Sequence, residues 1–396
     1  IKSVLGATKG LKLITADGQN YLVSPNVGQD EYHTAVRLES VETNGKVYIL
    51  ADKDIVKIVN GSKIDGDLKI DSDGNIALNY SNNGEQLHVT GNVDVNSDGR
   101  VSYLRNAKVD GDLNMSNSGG FLEVNGIEVG GNANLTTTVK TNKSVKHFVH
   151  VIGDNKIGGD MNIDSAHNIH IGGYNTVNDK PADLRKEGSL TVGGNLNAKA
   201  DYGTIAVSVD TKASNIKMDA GLNIISDGKA TMTADTYEFT AKNYIGGVDS
   251  EEEIVNVMEN YLPLPTKGHT YLNIAGGDVN KIKTAEDGRV LIKSEGNMNV
   301  NGVNAGKVNI TSNQNDITIG KDVHADVIKV GGETKKLKVE FPERDYTLKY
   351  TNIRDNEVKT INPNEEITYE LTNGDNGYNR GTQTAENTYL VGPDKP

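Results

Sequence analysis

Apolar residues along this chain come in close pairs with one polar residue between them, and the pairs recur inside a fixed phrase. The phrase reads Gly, then Asp or Asn, then apolar, polar, apolar. It appears as Gly66-Asp67-Leu68-Lys69-Ile70, Gly91-Asn92-Val93-Asp94-Val95, Gly111-Asp112-Leu113-Asn114-Met115 and Gly131-Asn132-Ala133-Asn134-Leu135. Later copies are Gly159-Asp160-Met161-Asn162-Ile163, Gly194-Asn195-Leu196-Asn197-Ala198 and Gly296-Asn297-Met298-Asn299-Val300. The first steps between copies are 25, 20 and 20 residues, and the next two, 28 and 35, leave room for inserted loops. Within a phrase the period is two, so both apolar side chains share one face of a short strand.

Similar pairs fill the intervals: Ile76/Leu78, Leu87/Val89, Leu122/Val124, Ile169/Ile171, Leu190/Val192, Ile205/Val207, Ile216/Met218 and Ile317/Ile319. Asp-Gly steps at Asp73-Gly74, Asp98-Gly99, Asp227-Gly228 and Asp287-Gly288 punctuate them as turns, with Gly expected to supply positive φ. A strand with two or three inward residues is not stable alone. Stacked as coils of twenty-odd residues, such strands build one continuous apolar column. The expected class is therefore all-β, a right-handed parallel β-helix of about 12 coils over residues 61–336. Repeated Asn near the Gly positions is expected to form hydrogen-bonded ladders between coils, with Gly permitting the sharp corner.

The pattern breaks in three places. Residues 1–60 contain strand-like stretches without the phrase and read as irregular first coils or an N-terminal β cap. Ser250 to Glu253 fits a capping box, and Ile254, Val257, Met258 and Tyr261 share a helical face before Pro263, predicting one short helical insertion over 249–263. From Leu337 the runs Leu337–Phe341, Tyr346–Tyr350 and Ile367–Leu371 predict a small C-terminal β unit over 337–396.

Composition narrows the function. The 396 residues include no Cys, no Trp and only 4 Phe, so the core must be filled by Val, Ile, Leu and Ala. Without Cys there are no disulfides, thiol nucleophiles or Cys-based zinc sites. A net charge of -13 argues against a nucleic-acid partner, and no apolar run is long enough for a membrane span. The chain begins at Ile1, as a processed chain or a fragment would.

Candidate chemistry is sparse. Two H-x-x-H pairs, His147/His150 and His167/His170, are displaced by 20 residues, one short coil, so His147 would stack on His167 and His150 on His170. Such imidazoles suit a metal ion or an acid-sensitive point. Residues three apart on a strand face opposite ways, which argues against four ligands on one ion. A metal-free surface ladder is the expectation, with no cofactor. Asp71-Ser72-Asp73-Gly74-Asn75 invites a calcium reading, but its Gly stands at position 4 instead of the EF-hand's 6, so a turn is expected.

The phrases, read with Lys199-Ala200 and Gly203-Thr204-Ile205-Ala206-Val207, resemble the haemagglutination repeats of filamentous haemagglutinin-type exoproteins and leukotoxin-like filamentous adhesins. The resemblance covers about residues 60–336. It implies a non-enzymatic shaft of a secreted adhesin or filament, extracellular or on a bacterial surface. Its partners would be host or neighbouring-cell surface molecules, or copies of itself. Asn362-Pro363-Asn364 does not occupy the N-terminal position of that family's secretion signature, consistent with a shaft segment. Two alternatives stand beside this reading: a carbohydrate-active β-helix enzyme, lyase or glycosidase, and a self-assembling extracellular fibre subunit.

Overall fold

The computed structural model describes residues 12–16, 19–24, 34–51, 55–80, 84–138, 148–177, 180–185, 187–246, 271–330 and 336–340, and five short strands between 348 and 391. The chain is an all-β parallel solenoid of about 12 turns, with no helix among the described residues. The helical insertion expected over 249–263 lies outside them. Two compact units divide the chain: residues 1–173 with 187–209, and residues 174–186 with 210–396.

In the first unit each coil carries three strand positions. The phrase strands Val47–Ala51, Leu68–Ser72, Val93–Ser97, Leu113–Asn117, Ala133–Thr137, Met161–Ser165 and Asn195–Ala200 pair in parallel, each on the next. Phrase residues meet their own counterparts: Leu68, Val93, Leu113, Ala133, Met161 and Leu196 stand in one register column. These residues and their partners two positions on are at most 3% exposed. Burying a Leu or Ile side chain this fully contributes about 1.5–3 kcal/mol, so the column is a large source of stability.

The phrase glycines have a different role from the one expected. The N–H of Gly91, Gly111, Gly131, Gly159 and Gly194 donates to the preceding phrase glycine's carbonyl at 2.9–3.0 Å. The residue after each glycine then donates its N–H to the Asp or Asn side chain one coil back. Asn92 N–H bonds Asp67 Oδ1 at 2.7 Å. Asp112 N–H bonds Asn92, Asn132 bonds Asp112, Asp160 bonds Asn132 and Asn195 bonds Asp160, each at 2.8 Å. The side chain must cross over the next coil's glycine to do this. A Cβ on Gly111 would stand 2.2 Å from Asn92 Oδ1, closer than any real contact. These glycines are needed for close approach, not for positive φ.

The Asp-Gly turns depart from expectation in the same way. Among Gly74, Gly99, Gly228 and Gly288 only Gly228 has positive φ, at 74°. Gly99 instead lies so close over Gly74 that a Cβ would be 2.3 Å from its carbonyl. Positive φ is concentrated at another corner, where Ser40, Asn60, Asn79, Asn106, Gly126, Gly153 and Gly188 succeed one another with φ between 43° and 87°. Asn79, fully buried, ties three coils there. Its Nδ2 donates to the carbonyls of Glu85 and Asn106, at 3.0 and 2.9 Å, and its Oδ1 accepts from Gly61 N–H at 3.3 Å. Asn tolerates the left-handed region because its short polar side chain bonds locally.

The first residues of this unit join the same ladders. Gln19–Ser24 pairs antiparallel with Lys12–Ala16 and parallel with Val47–Ala51, and Thr34–Glu39 pairs parallel with Ile55–Val59.

In the second unit Ile216, Tyr237, Val279, Val300, Ile319 and Val339 form a parallel register column. Tyr237 and Phe239 are buried in it, against the aliphatic core expected from composition. The Tyr237 hydroxyl accepts from Ala234 N–H at 2.8 Å and faces the Met232 and Gly276 carbonyls at 3.1 Å, so its polar end is satisfied. Beyond the parallel strands, Ile367–Glu370 pairs antiparallel with Lys336–Val339, and Tyr378–Gly381 pairs antiparallel with Asp316–Val330.

Candidate functional site

A solenoid that buries the apolar positions of its phrase must display the others, so function has to be sought on the outward columns. On the phrase face of the first unit there are two lanes. One carries Asp67, Asn92, Asp112, Asn132, Asp160 and Asn195, strictly alternating Asp with Asn. The second carries Tyr48, Lys69, Asp94, Asn114, Asn134, Asn162 and Asn197 in register. Its amides form a second ladder, with Asn134, Asn162 and Asn197 each donating Nδ2–H to the previous Asn Oδ1 at 2.8, 2.9 and 3.0 Å.

Between the lanes, over the first coils, lies a trough of about 450 Å³ lined by Lys46, Tyr48, Asp67, Lys69, Asp94 and Asp112 among others. Tyr48 donates its O–H to Asp71 at 2.6 Å, with the Lys69 ammonium 5.2 Å from its ring centre. Lys46 approaches Asp67 at 3.9 Å. The calcium-like run at 71–75 is the end of strand Leu68–Ser72 and the bend after it: Ser72 Oγ accepts from Gly74 N–H at 3.0 Å and Asn75 Oδ1 from Val101 N–H at 3.2 Å.

A second outward column, on the neighbouring strand position, is chemically denser. Ala77, Tyr103, Glu123, His150, His170 and Ala206 succeed one another in register on strands Ile76–Leu78, Val101–Val109, Phe121–Val129, Val149–Ile157, Ile169–Ile171 and Ile205–Val207. The expected stacking of His150 on His170 is present: the rings lie 5.0 Å apart and 13° from parallel. The expected surface location is not. His150 is 4% exposed and His170 1%, so this is a buried pair. His167 is buried in the turn before Ile169–Ile171 and does not share the column, and His147 lies outside the described residues. Among the described residues no group of three or more His, Asp or Glu side chains is placed to hold one metal ion.

The remainder of the column was not anticipated. Arg105 Nε and Nη2 each reach Glu123 Oε2 at 2.6 Å, and the guanidinium lies 4.0 Å from the Tyr80 ring centre and 5.0 Å from that of Tyr103. Phe121 packs edge-on to Tyr103 at 5.7 Å and against Phe148 at 4.5 Å. Glu123 and His170 were each legible as the residue between an inward pair, Leu122/Val124 and Ile169/Ile171. Their burial was not.

Burial sets the protonation of this group. The His150 Nε2–H donates to the Gly172 carbonyl at 2.8 Å, which leaves Nδ1 facing Glu123 Oε1 at 3.7 Å. Burial pulls His150 down to about 4; the Gly172 bond opposes this and the Arg105 charge adds to it. His170 is held well below the ordinary imidazole value by burial and then by His150. Both rings are therefore neutral at pH 7, and the Glu123–His150 contact is not an ion pair there. Burial raises Glu123, against the pull of Arg105.

Comparison with protein-family models, with curated proteins and with solved structures finds no match. The fold implied by the haemagglutination-repeat resemblance is present without a family match to accompany it.

Proposed function

We propose that the chain is a non-enzymatic structural shaft of a secreted bacterial surface adhesin or filament, and that its outward polar lanes face the surfaces it attaches to. The observation that carries this is the self-repeating chemistry of the phrase. Each phrase bonds the previous one through the same glycine and Asp or Asn positions, so coils add by one repeated contact. A catalytic scaffold needs one distinctive place; a shaft needs uniformity.

A carbohydrate-active enzyme is the second reading, because parallel β-helices also carry enzymes and Glu123 and His150, clustered beside Arg105, both have shifted protonation. Against it, Glu123 is committed to Arg105 at 2.6 Å and is buried. The fibre-subunit reading is weakened by the antiparallel strands that occupy edges of the last coil in the second unit.

The test is attachment of the purified chain to cultured cells and bacterial surfaces, beside a variant lacking residues 111–130, one whole coil. Saturable attachment retained by the folded variant, with a glycan panel left intact, supports the shaft. Turnover of any glycan that disappears in Glu123→Gln would establish the enzyme instead.

A further inference from the structure

The trough of about 450 Å³ in the first unit lies where the two outward lanes leave side-chain groups unused. In the first lane each Asp or Asn gives one oxygen to the next coil: Asn92 Oδ1 accepts from Asp112 N–H, and Asp112 Oδ1 from Asn132 N–H, both at 2.8 Å. The Asn92 Nδ2 donor and the Asp112 Oδ2 acceptor then make no hydrogen bond or ion pair among the described residues. In the second lane the amide ladder runs down to Asn114, whose Oδ1 accepts from Asn134 at 2.8 Å, and stops one rung short of Asp94. Asn114 Nδ2 and the Asp94 carboxylate are likewise unbonded among the described residues. On the other side of Asp94, Lys69 turns back to Asp71 at 4.0 Å and to the Tyr48 ring centre at 5.2 Å.

All four residues line the trough, and together they make a checkerboard. One coil presents donor then acceptor, Asn92 and Asp94; the next presents acceptor then donor, Asp112 and Asn114. Neighbours stand about 7 Å apart along a coil and about 4.8 Å apart between coils. The other polar groups of the wall are engaged, Lys46 with Asp67 at 3.9 Å and the Tyr48 O–H with Asp71 at 2.6 Å. A cation would satisfy the two carboxylates and leave both amide donors aimed at it; an anion would do the reverse. A hydroxyl both donates and accepts, and one set between a donor and an acceptor on adjacent coils reaches both at hydrogen-bond length.

We propose that the trough is a saccharide-binding site in which Asn92, Asp94, Asp112 and Asn114 read the hydroxyls of one neutral sugar ring. Its volume suits such a ligand, since small-molecule sites run from about 300 to about 1,000 Å³. The site deepens the attachment reading above and rests on it for what presents the sugar, whereas the binding chemistry rests on the trough alone.

The experiment probes an array of neutral, sialylated and sulfated oligosaccharides with the full chain, then titrates the best neutral oligosaccharide by calorimetry. Asn114→Asp keeps the oxygen that Asn134 bonds and replaces the open donor with an acceptor. Asp94→Ala removes a group that bonds nothing else among the described residues. The expected result is binding of neutral glycans, weakened about tenfold or more by each substitution. Asn197→Asp, at the far end of the same lane, gives up its bond to Asn162 and leaves the affinity unchanged. An array with no neutral glycan bound overturns the site. So does binding confined to sialylated or sulfated glycans, an affinity unchanged in both trough variants, or an equal loss in Asn197→Asp. Should Asn114→Asp fail to fold, Asp94→Ala decides alone. The shaft fails separately: a chain that attaches to cells but binds no neutral glycan overturns the trough and leaves the shaft standing, and glycan binding without attachment does the opposite.

Discussion

Asn132→Asp isolates the meaning of the alternating lane. The new carboxylate keeps the Oδ1 that accepts from Asp160 N–H at 2.8 Å, so the hydrogen bond survives and only the charge changes. It then stands between Asp112 and Asp160, one coil away on either side. Coil spacing is about 4.8 Å, and two unit charges at that distance in water repel by about 0.9 kcal/mol, giving about 1.7 kcal/mol for both neighbours. Screening leaves about 1.5 kcal/mol at 10 mM salt, about 1 kcal/mol at 0.15 M and about 0.3 kcal/mol at 1 M. The assay is urea unfolding followed by circular dichroism at these three salt concentrations. Adding Asp112→Asn and Asp160→Asn leaves the new carboxylate flanked by neutral amides on both sides and should recover most of the loss. A loss of stability that is absent at low salt, or that does not change with salt, would refute the claim that alternation spaces like charges apart.

Three further outcomes are expected. Gly111→Ala should cost about 3 kcal/mol, because its Cβ would meet Asn92 Oδ1 at 2.2 Å and Gly91 O at 2.8 Å. Gly126→Ala meets nothing within 4 Å and should cost about 1–2 kcal/mol, from its φ of 65° alone; thermal melts that reverse this order contradict the close-approach argument. Leu113→Ala, at 0% exposure in the middle of the phrase column, should lose about 2–5 kcal/mol by denaturant titration, and a loss under 1 kcal/mol would mean the column is not the core. Asn79→Ala removes bonds to Gly61, Glu85 and Asn106 and should cost about 2–4 kcal/mol, with exchange protection falling first in strands Ile76–Leu78 and Leu87–Val89.

The solenoid could be read from the sequence because its determinants are local and repeated. Leu113 and Met115 alternate within one strand, and the 20-residue step places them over Val93 and Val95. An Asn ladder was legible for the same reason, since a residue type that returns at one phase of the coil must meet its own copy, as Asn114, Asn134, Asn162 and Asn197 do; the share that Asp takes in the other lane was not. What the phrase does not encode is contact between consecutive coils at ångström resolution. Gly111 reads as a turn residue, and only the path of the Asn92 side chain over it shows that the space, not the dihedral, is the constraint. Non-glycine residues with positive φ, such as Asn79 and Asn106, leave little trace in pattern because Asn is common everywhere in this chain. The buried column was half visible. The spacing of His150 and His170 predicted their stacking, but an outward residue between two inward ones reads as exposed, and neither Glu123 nor Arg105 belongs to any motif. Tyr237 lies in a core position that the scarcity of aromatics seemed to reserve for aliphatics, and its hydroxyl contacts resolve that conflict.

The glycine and Asp/Asn bonds of the first unit all join one coil to the next, which has a mechanical consequence. A chain pulled from its ends would load those bonds one coil at a time, as tape lifts from a roll, and would not shear them together. Each released coil adds contour in proportion to its residues, about 70 Å for a coil of 20. The phrase copies in this unit are separated by 25, 20, 20, 28 and 35 residues. A single molecule stretched between two surfaces would therefore yield in steps of unequal length, and the order of those steps would reproduce the order of the coils.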